Sequence, residues 1–361
     1  AGTVRSVLCL DRANGKTLWK KDVEYSQKEQ NWGGITYTNA SAAVDEKRVV
    51  VTFASAGLYC YDHSGNLLWE RKDLGHWEHS FGNGASPVLY ENLVIMWCGP
   101  DSRPPKDNAS KDDPKEKGKK KAGKIRNFLI AVDRDTGKTV WEKDETSGSW
   151  STPLIVKIDG KDQMLLSFGP DAKNKPDPEN NYFKGYDPKT GKELWFARGL
   201  NSFVYTSPLF ANSVAVSMAG YGGSAMAVKL GGTGDITKDR LWLHPKNTQR
   251  VGSGVIVGDH VYMVDQDGVA HCYELTTGKD LWAKAERAGA FTWGSIVHAD
   301  GLLYVMMRNG DTAVLKASPK FELVANNQLG KGQQTNSSPA ISNGEIFLRT
   351  FSHLWCIAEK K

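Results

Sequence analysis

One pattern recurs along the whole chain and limits what it can become. VLCLDRANGKTLW (7–19), LYCYDHSGNLLW (58–69), LIAVDRDTGKTVW (129–141), FKGYDPKTGKELW (183–195) and AHCYELTTGKDLW (270–282) share one order of parts: a short strand, an acidic residue, a turn with Gly, and a strand carrying Trp. Asp11 to Trp19, Asp133 to Trp141, Asp187 to Trp195 and Glu274 to Trp282 are each eight residues apart, and Asp62 to Trp69 is seven. AMAVKLGGTGDITKDRLW (225–242) is a copy with a longer turn, and TAVLKASPKFELV (312–324) has lost both Trp and Gly. Self-similarity at a fixed period is the signature of a repeat architecture.

A second hairpin lies between these copies, as in GASPVLYENLVIMW (84–97), TSPLFANSVAVSM (206–218), GSGVIVGDHVYMV (252–264) and SSPAISNGEIFLR (337–349). Each is two alternating apolar runs joined by a short polar turn. Four strands per repeat predict an all-β fold, a β-propeller of four-stranded antiparallel blades. The N-terminus supplies third and fourth strands only, so the expectation is eight blades with an incomplete first one. Seven blades closed by residues 16–23 is the alternative. Residues 1–361 read as a single domain with a mobile Lys/Pro-rich insertion at 102–127.

Composition narrows the function classes. The net charge is +5, but residues 102–127 hold 8 Lys and 2 Arg against 4 acids, so the rest is about neutral and offers no footprint for nucleic acid. No apolar run reaches the ~20 residues that span a bilayer. The chain begins at Ala1 with no signal-peptide pattern, which reads as a mature or truncated form. Cys9, Cys60, Cys272 and Cys356 share one column with Ala131, Gly185 and Ala227, a column for small buried residues. Cys98 stands apart, and five free thiols are expected.

Columns that repeat in every blade are scaffold. The Trp column (Trp19, Trp69, Trp141, Trp195, Trp242, Trp282) fills space between neighbouring sheets. The acidic residue accepts turn N–H groups while Gly takes positive φ, so DRDTG (133–137) and VDQDG (264–268) are turns, the former despite a loose likeness to a calcium loop. Ser41, Ser86, Thr152, Ser207, Ser253, Ser295 and Ser338 form a hydroxyl column that ties backbone rather than supplying a nucleophile.

Strand order puts the second–third turns and the inter-blade loops on one face, where the long segments gather. On it, the position two before each hydroxyl reads Asn39, Gly84, Trp150, Tyr205, Val251, Trp293 and Asn336, so it varies where its neighbours do not. Asn83, Trp150, Tyr205, Tyr221, Arg250, Trp293 and Asn336 are therefore the candidate ligand-binding residues. The aromatic rings suit stacking, Arg250 suits a carboxylate, and Tyr221 stands in the glycine-rich GYGG (220–223). No catalytic set is read. His76, Glu78 and His79 are three metal-ligand types in four residues, set against the plainer reading of a solvated loop.

The hairpins, with [A/C/G]-x-[D/E]-x-x-T/N-G-K-x-x-W, resemble the repeats of the pyrroloquinoline-quinone (PQQ)-like β-propeller superfamily, closest to its BamB-like members. The resemblance implies a non-catalytic, periplasmic or secreted monomer that binds a protein, glycan or small molecule through the loop-rich face and axial funnel. The other branch, the quinoprotein oxidoreductases, implies PQQ and calcium, with an alcohol or sugar as substrate. Trp150, Trp293 and Arg250 are the chemical types a quinone's ring and carboxylates need. That branch typically carries a vicinal Cys pair, and no two cysteines here are adjacent.

Overall fold

The computed structural model describes residues 4–29, 39–103, 126–169, 181–201, 203–246, 248–282 and 286–359. Most of the insertion expected at 102–127 (104–125) lies outside them. Strands β1 (Val4–Leu10) and β2 (Thr17–Glu24) pair as a hairpin. The next sheet orders β3 (Ala43–Val44), β4 (Arg48–Thr52), β5 (Leu58–Asp62) and β6 (Leu67–Arg71). In the third, β7 (His76–Trp77) and β8 (Val88–Tyr90) both pair with β9 (Leu93–Arg103), followed by β10 (Arg126–Asp133) and β11 (Thr139–Glu145). The fourth sheet holds β12 (Leu154–Ile158), β13 (Lys161–Ser167), β14 (Tyr182–Tyr186) and β15 (Glu193–Arg198). The fifth holds β16 (Leu209–Ala211), β17 (Val214–Met218), β18 (Ala225–Lys229) and β20 (Arg240–His244), while β19 (Gly234–Asp235) pairs with β15. Then come β21 (Val255–Val257), β22 (His260–Val264), β23 (Ala270–Glu274); β24 (Val297–Ala299), β25 (Leu302–Met306), β26 (Thr312–Lys316), β27 (Leu323–Asn327); and β28 (Ala340–Ser342), β29 (Glu345–Arg349), β30 (Leu354–Ile357).

The fold is an all-β propeller. Seven sheets begin with a first strand, so seven blades are built, the alternative rather than the expected eight. Among the described residues β2 pairs with β1, and the last sheet runs from β28 to β30.

The repeated hairpin has the turn its residues dictate. The Asp133 carboxylate accepts N–H from Asp135 and Thr136, Gly137 takes φ +69°, and Gly137 N–H bonds Asp133 O at 2.8 Å. A register shift follows the small-residue column at Cys9, Cys60, Ala131, Ala227 and Val314, so one bulge recurs in blade after blade. Cys60, Ala131, Ala227 and Cys272 are buried there as expected. Cys356 is exposed and Cys9 half-buried, a correction to the expected column: among the described residues β30 has no fourth strand on its edge, and the hairpin β1–β2 has no inner pair.

The Trp column works across sheets. The indole N–H groups of Trp19, Trp69, Trp141, Trp242 and Trp282 donate to His63 O, Arg134 O, Pro188 O, Leu275 O and Pro319 O, each in the following hairpin's turn, at 2.8–3.1 Å. An indole of this size buries about 150–250 Å², worth about 4–6 kcal/mol at roughly 25 cal/mol/Å². Trp195 departs from the rule. Its neighbour in the small column is Gly185, where a Cβ would stand 2.2 Å from Trp195 Nε1, so the ring turns inward and donates to Gln163 Oε1 at 2.8 Å. Along the fourth strand of the blade of β21–β23, the described residues pair through bridges at Tyr273–Asp280 and Val269–Arg287, with Leu281 N–H bonding Cys272 O at 2.7 Å, and the Asp280 carboxylate takes the Trp282 N–H at 3.0 Å.

Candidate functional site

The chain divides into two compact units, Ala1–Ile155 with Tyr186–Glu193, and Val156–Gly185 with Leu194–Lys361. In both, the hydroxyl column passes a hydrogen bond from blade to blade. In the first unit Ser41 N–H donates to Ser86 Oγ and Ser86 N–H to Thr152 Oγ1, both at 2.9 Å. In the second, Ser207, Ser253 and Ser295 N–H donate in turn to Ser253, Ser295 and Ser338 Oγ at 2.8–2.9 Å. The hydroxyls tie backbone, as their repetition implies.

The residue three before that hydroxyl has its own repeated task. Side-chain oxygens of Asn83, Ser149, Thr292 and Thr335 each accept the N–H two residues on, at 2.7–3.0 Å. Asn83 thus does in its blade what serine and threonine do in others, although its buried Nδ2 has no hydrogen-bond partner among the described residues. Arg250 occupies the same column and breaks it. It is 0% exposed, its Nη2 reaches Tyr273 OH at 3.3 Å, and its Nε and Nη1 find no partner among the described residues. Beside it, burial and then the Arg250 charge hold His244 below the ordinary imidazole pKa. At His271, burial pulls the pKa down, but the Asp265 and Asp280 carboxylates outweigh it and hold it above the ordinary value.

In the first unit the loop 75–84 is partly strand: β7 pairs with the end of β9, His76 opposite Arg103 and Trp77 opposite Ser102. His76 Nδ1 sits 2.5 Å from Tyr25 OH. His79 Nδ1 accepts Phe81 N–H at 3.1 Å, and its ring stands edge-on to Trp150 at 4.8 Å. Glu78 N–H bonds Asp101 O. Among the described residues no three His, Cys, Asp or Glu side chains converge to hold a metal ion. Trp150 is 6% exposed and donates to Gly82 O at 2.9 Å, so its ring closes the loop instead of offering a stacking face. The quinone reading asks Trp150 to stack, Arg250 to hold a carboxylate and an acidic set to hold calcium. Trp150 and Arg250 are both buried, and among the described residues no acidic set converges to hold calcium, so the described residues do not fit PQQ with calcium.

The loop-rich side of the second unit is built on a backbone frame. The second residue after β17, β22, β25 and β29 is Gly220, Gln266, Arg308 and Phe351 in turn, and each donates its N–H to the preceding inter-blade loop, at Phe203 O, Gln249 O, Phe291 O and Gln334 O. The carbonyls of Gly220, Gln266 and Arg308 then accept N–H from Arg250, Thr292 and Thr335 of the following loop. Second–third turns and inter-blade loops therefore interleave on one side. This column escaped the sequence reading. Its signal was available: it differs across these four blades, the same test that singled out Tyr205, Trp293 and Asn336.

The two varying columns meet side by side. A Cβ on Gly220 would stand 2.1 Å from Tyr205 Cδ2, so the GYGG loop closes on that ring. Phe203 stacks on Tyr205 at 5.9 Å and meets Tyr221 edge-on; Tyr221 is 57% exposed. Trp293 donates to Gln266 Oε1 at 3.4 Å and lies under the Arg308 guanidinium. Asn336 is half-buried in the loop before β28, and Phe351, 52% exposed, ends the series.

A family model described as "Outer membrane protein assembly factor BamB" matches residues 4–284. Among solved structures, BamB from Moraxella catarrhalis superimposes with a TM-score of 0.63 at 14% identity, covering 95% of this chain and 85% of that one. The computationally designed Ika8 protein matches at a TM-score of 0.47 and 15% identity, over 88% of this chain and 95% of that one. No curated protein matches the sequence.

Proposed function

The chain belongs to the outer membrane protein assembly factor BamB family, and from that premise we propose that it is a non-catalytic scaffold outside the cytoplasm, serving assembly at the outer membrane by holding a protein partner on its loop-rich side. No helix among the described residues is long and apolar enough to cross a membrane. The observation that carries the reading is the pairing of a fixed backbone frame with side chains that change across four blades. Gly220, Gln266, Arg308 and Phe351 share the same backbone N–H bond to the preceding loop, and their side chains have nothing in common. Exposed aromatic rings and an arginine on a rigid frame are the residue types that anchor protein interfaces. They are set on loops over a scaffold, where binding residues concentrate.

A photo-crosslinking residue placed at Tyr221, at Phe351, or at Asp300 in the turn at the opposite blade end tests this in cells. The expected result is one outer-membrane assembly protein captured from positions 221 and 351 and not from 300. Equal capture from position 300, or none from the other two, overturns the scaffold reading.

A further inference from the structure

Resting on that reading of the loop-rich side, we propose that Arg308 anchors an aspartate or glutamate carboxylate of an extended protein segment. Several other arginines are matched to acids: Arg48 to Asp45 and Asp135, Arg71 to Asp73, Arg126 to Glu142 and Asp144, Arg198 to Asp235; Arg240, Arg287 and Arg349 donate to backbone carbonyls instead. Arg308 has no carboxylate or carbonyl against its guanidinium among the described residues. Asp311, three residues on, takes Asn309 Nδ2 at 2.9 Å instead.

What holds Arg308 is aromatic. Its guanidinium carbon lies 4.5 Å from the centre of the Trp293 ring and 5.4 Å from that of Phe291. Its own backbone is fixed on both sides, N–H to Phe291 O at 2.8 Å and carbonyl from Thr335 N–H at 3.1 Å. A guanidinium stacked by its face keeps its in-plane N–H edge free, and that edge matches a carboxylate with two parallel hydrogen bonds. The rings also fix its orientation before any ligand arrives, which lowers the entropy lost on binding. Because the turn's backbone is consumed by the frame, an incoming segment is recognised by side chains. The exposed Phe351 is tied through its N–H to Gln334 O, next to the Thr335 that holds Arg308, and offers an apolar contact for a neighbouring residue of the same segment.

The probe is a fluorescein-labelled ten-residue peptide of alternating aspartate and tyrosine, blocked at both ends, with an asparagine-for-aspartate twin. Fluorescence anisotropy is read against the full chain. The aspartate peptide binds about tenfold or more tightly than its twin, a difference of about 1.4 kcal/mol or more. Arg308→Ala lowers it to the level of the twin, Arg308→Lys falls between, and Arg126→Ala changes nothing; thermal melts of all three variants match the parent. No binding of the aspartate peptide at millimolar protein, equal binding of the twin, or an unaffected Arg308→Ala overturns the proposal. Competition by inorganic phosphate or by a peptide with a free C-terminal carboxylate, as strong as that of the aspartate peptide, overturns the choice of a side-chain carboxylate. If the aspartate preference is absent while positions 221 and 351 still cross-link one protein, this inference falls and the scaffold reading stands. If the cross-links vanish too, both fall.

Discussion

Gly137 lies beneath the indole of Trp69, so close that an added Cβ would stand 2.8 Å from the ring. The two belong to successive hairpins, and the same relation joins Gly65 to Trp19, Gly191 to Trp141 and Gly278 to Trp242. The glycine of the repeated turn is thus required twice, by its own positive φ and by its neighbour's tryptophan. Gly15 separates the two demands, because it has the same turn and φ +73° with nothing within 4 Å. Gly15→Ala is expected to cost about 1 kcal/mol for the left-handed backbone alone. Gly137→Ala is expected to cost about 1–3 kcal/mol more, the range for overpacking. Urea unfolding followed by tryptophan fluorescence measures both, and equal losses would remove the indole from the account.

Loss of one hydroxyl from the blade-to-blade column has a local signature. Ser295→Ala removes the acceptor of the Ser253 N–H and leaves that donor unmatched, at about 1–3 kcal/mol. Amide exchange at Ser253 then accelerates by about one to two orders of magnitude, while exchange at Ser41, in the other unit, is unchanged. Uniform acceleration across the chain would mean that the column does not act link by link.

His271 predicts a pH dependence whose sign is fixed by its partners. The ring sits 2.9 Å from Asp280 and 3.6 Å from Asp265. Burial disfavours the charged ring, but these carboxylates raise its pKa above the ordinary 6.5. A raised pKa means stability that is complete below about 6.5 and lost as pH climbs through the folded value. Melting temperature falls over that window, and His271→Gln flattens the fall. A parent protein whose stability rises across the same window would contradict the assignment.

Thiol labelling at pH 8 is expected to order the cysteines by burial. Cys356 reacts quickly and Cys9 more slowly. Cys60 and Cys272 resist, because burial raises their pKa to about 11 and about 12, and fully buried Cys98 is pushed up further. Mass spectrometry after brief iodoacetamide exposure reads the order, and prompt labelling of Cys98 would contradict the burial described.

Much of the architecture was legible because it repeats. Asp133, Gly137 and Trp141 recur with the same spacing elsewhere, so each copy checked the others, and the hydroxyl column at Ser253 and Ser295 was read correctly as a backbone tie. The failures lie where a blade departs from its siblings. Nothing in GGTGDITKD announces that Gly234 reaches back to pair with Trp195. Blade number turned on how β2 pairs, a long-range choice that local pattern does not encode. Arg250 and Trp150 were chosen for their chemistry, yet both are buried, and burial depends on neighbours brought in from afar. Arg308 was passed over because the variability test was applied to one column of the loop-rich side and not to the column beside it.

The indole-over-glycine contact has a consequence for how such a chain can change length. The contact joins the close of one copy to the turn of the next, so among the copies that share it a cut made at any point of the period, and repeated at the same point one copy later, restores the junction. A gene can duplicate or drop such a copy without rewriting that seam, whereas a splice out of phase would strand a tryptophan with no turn to cover.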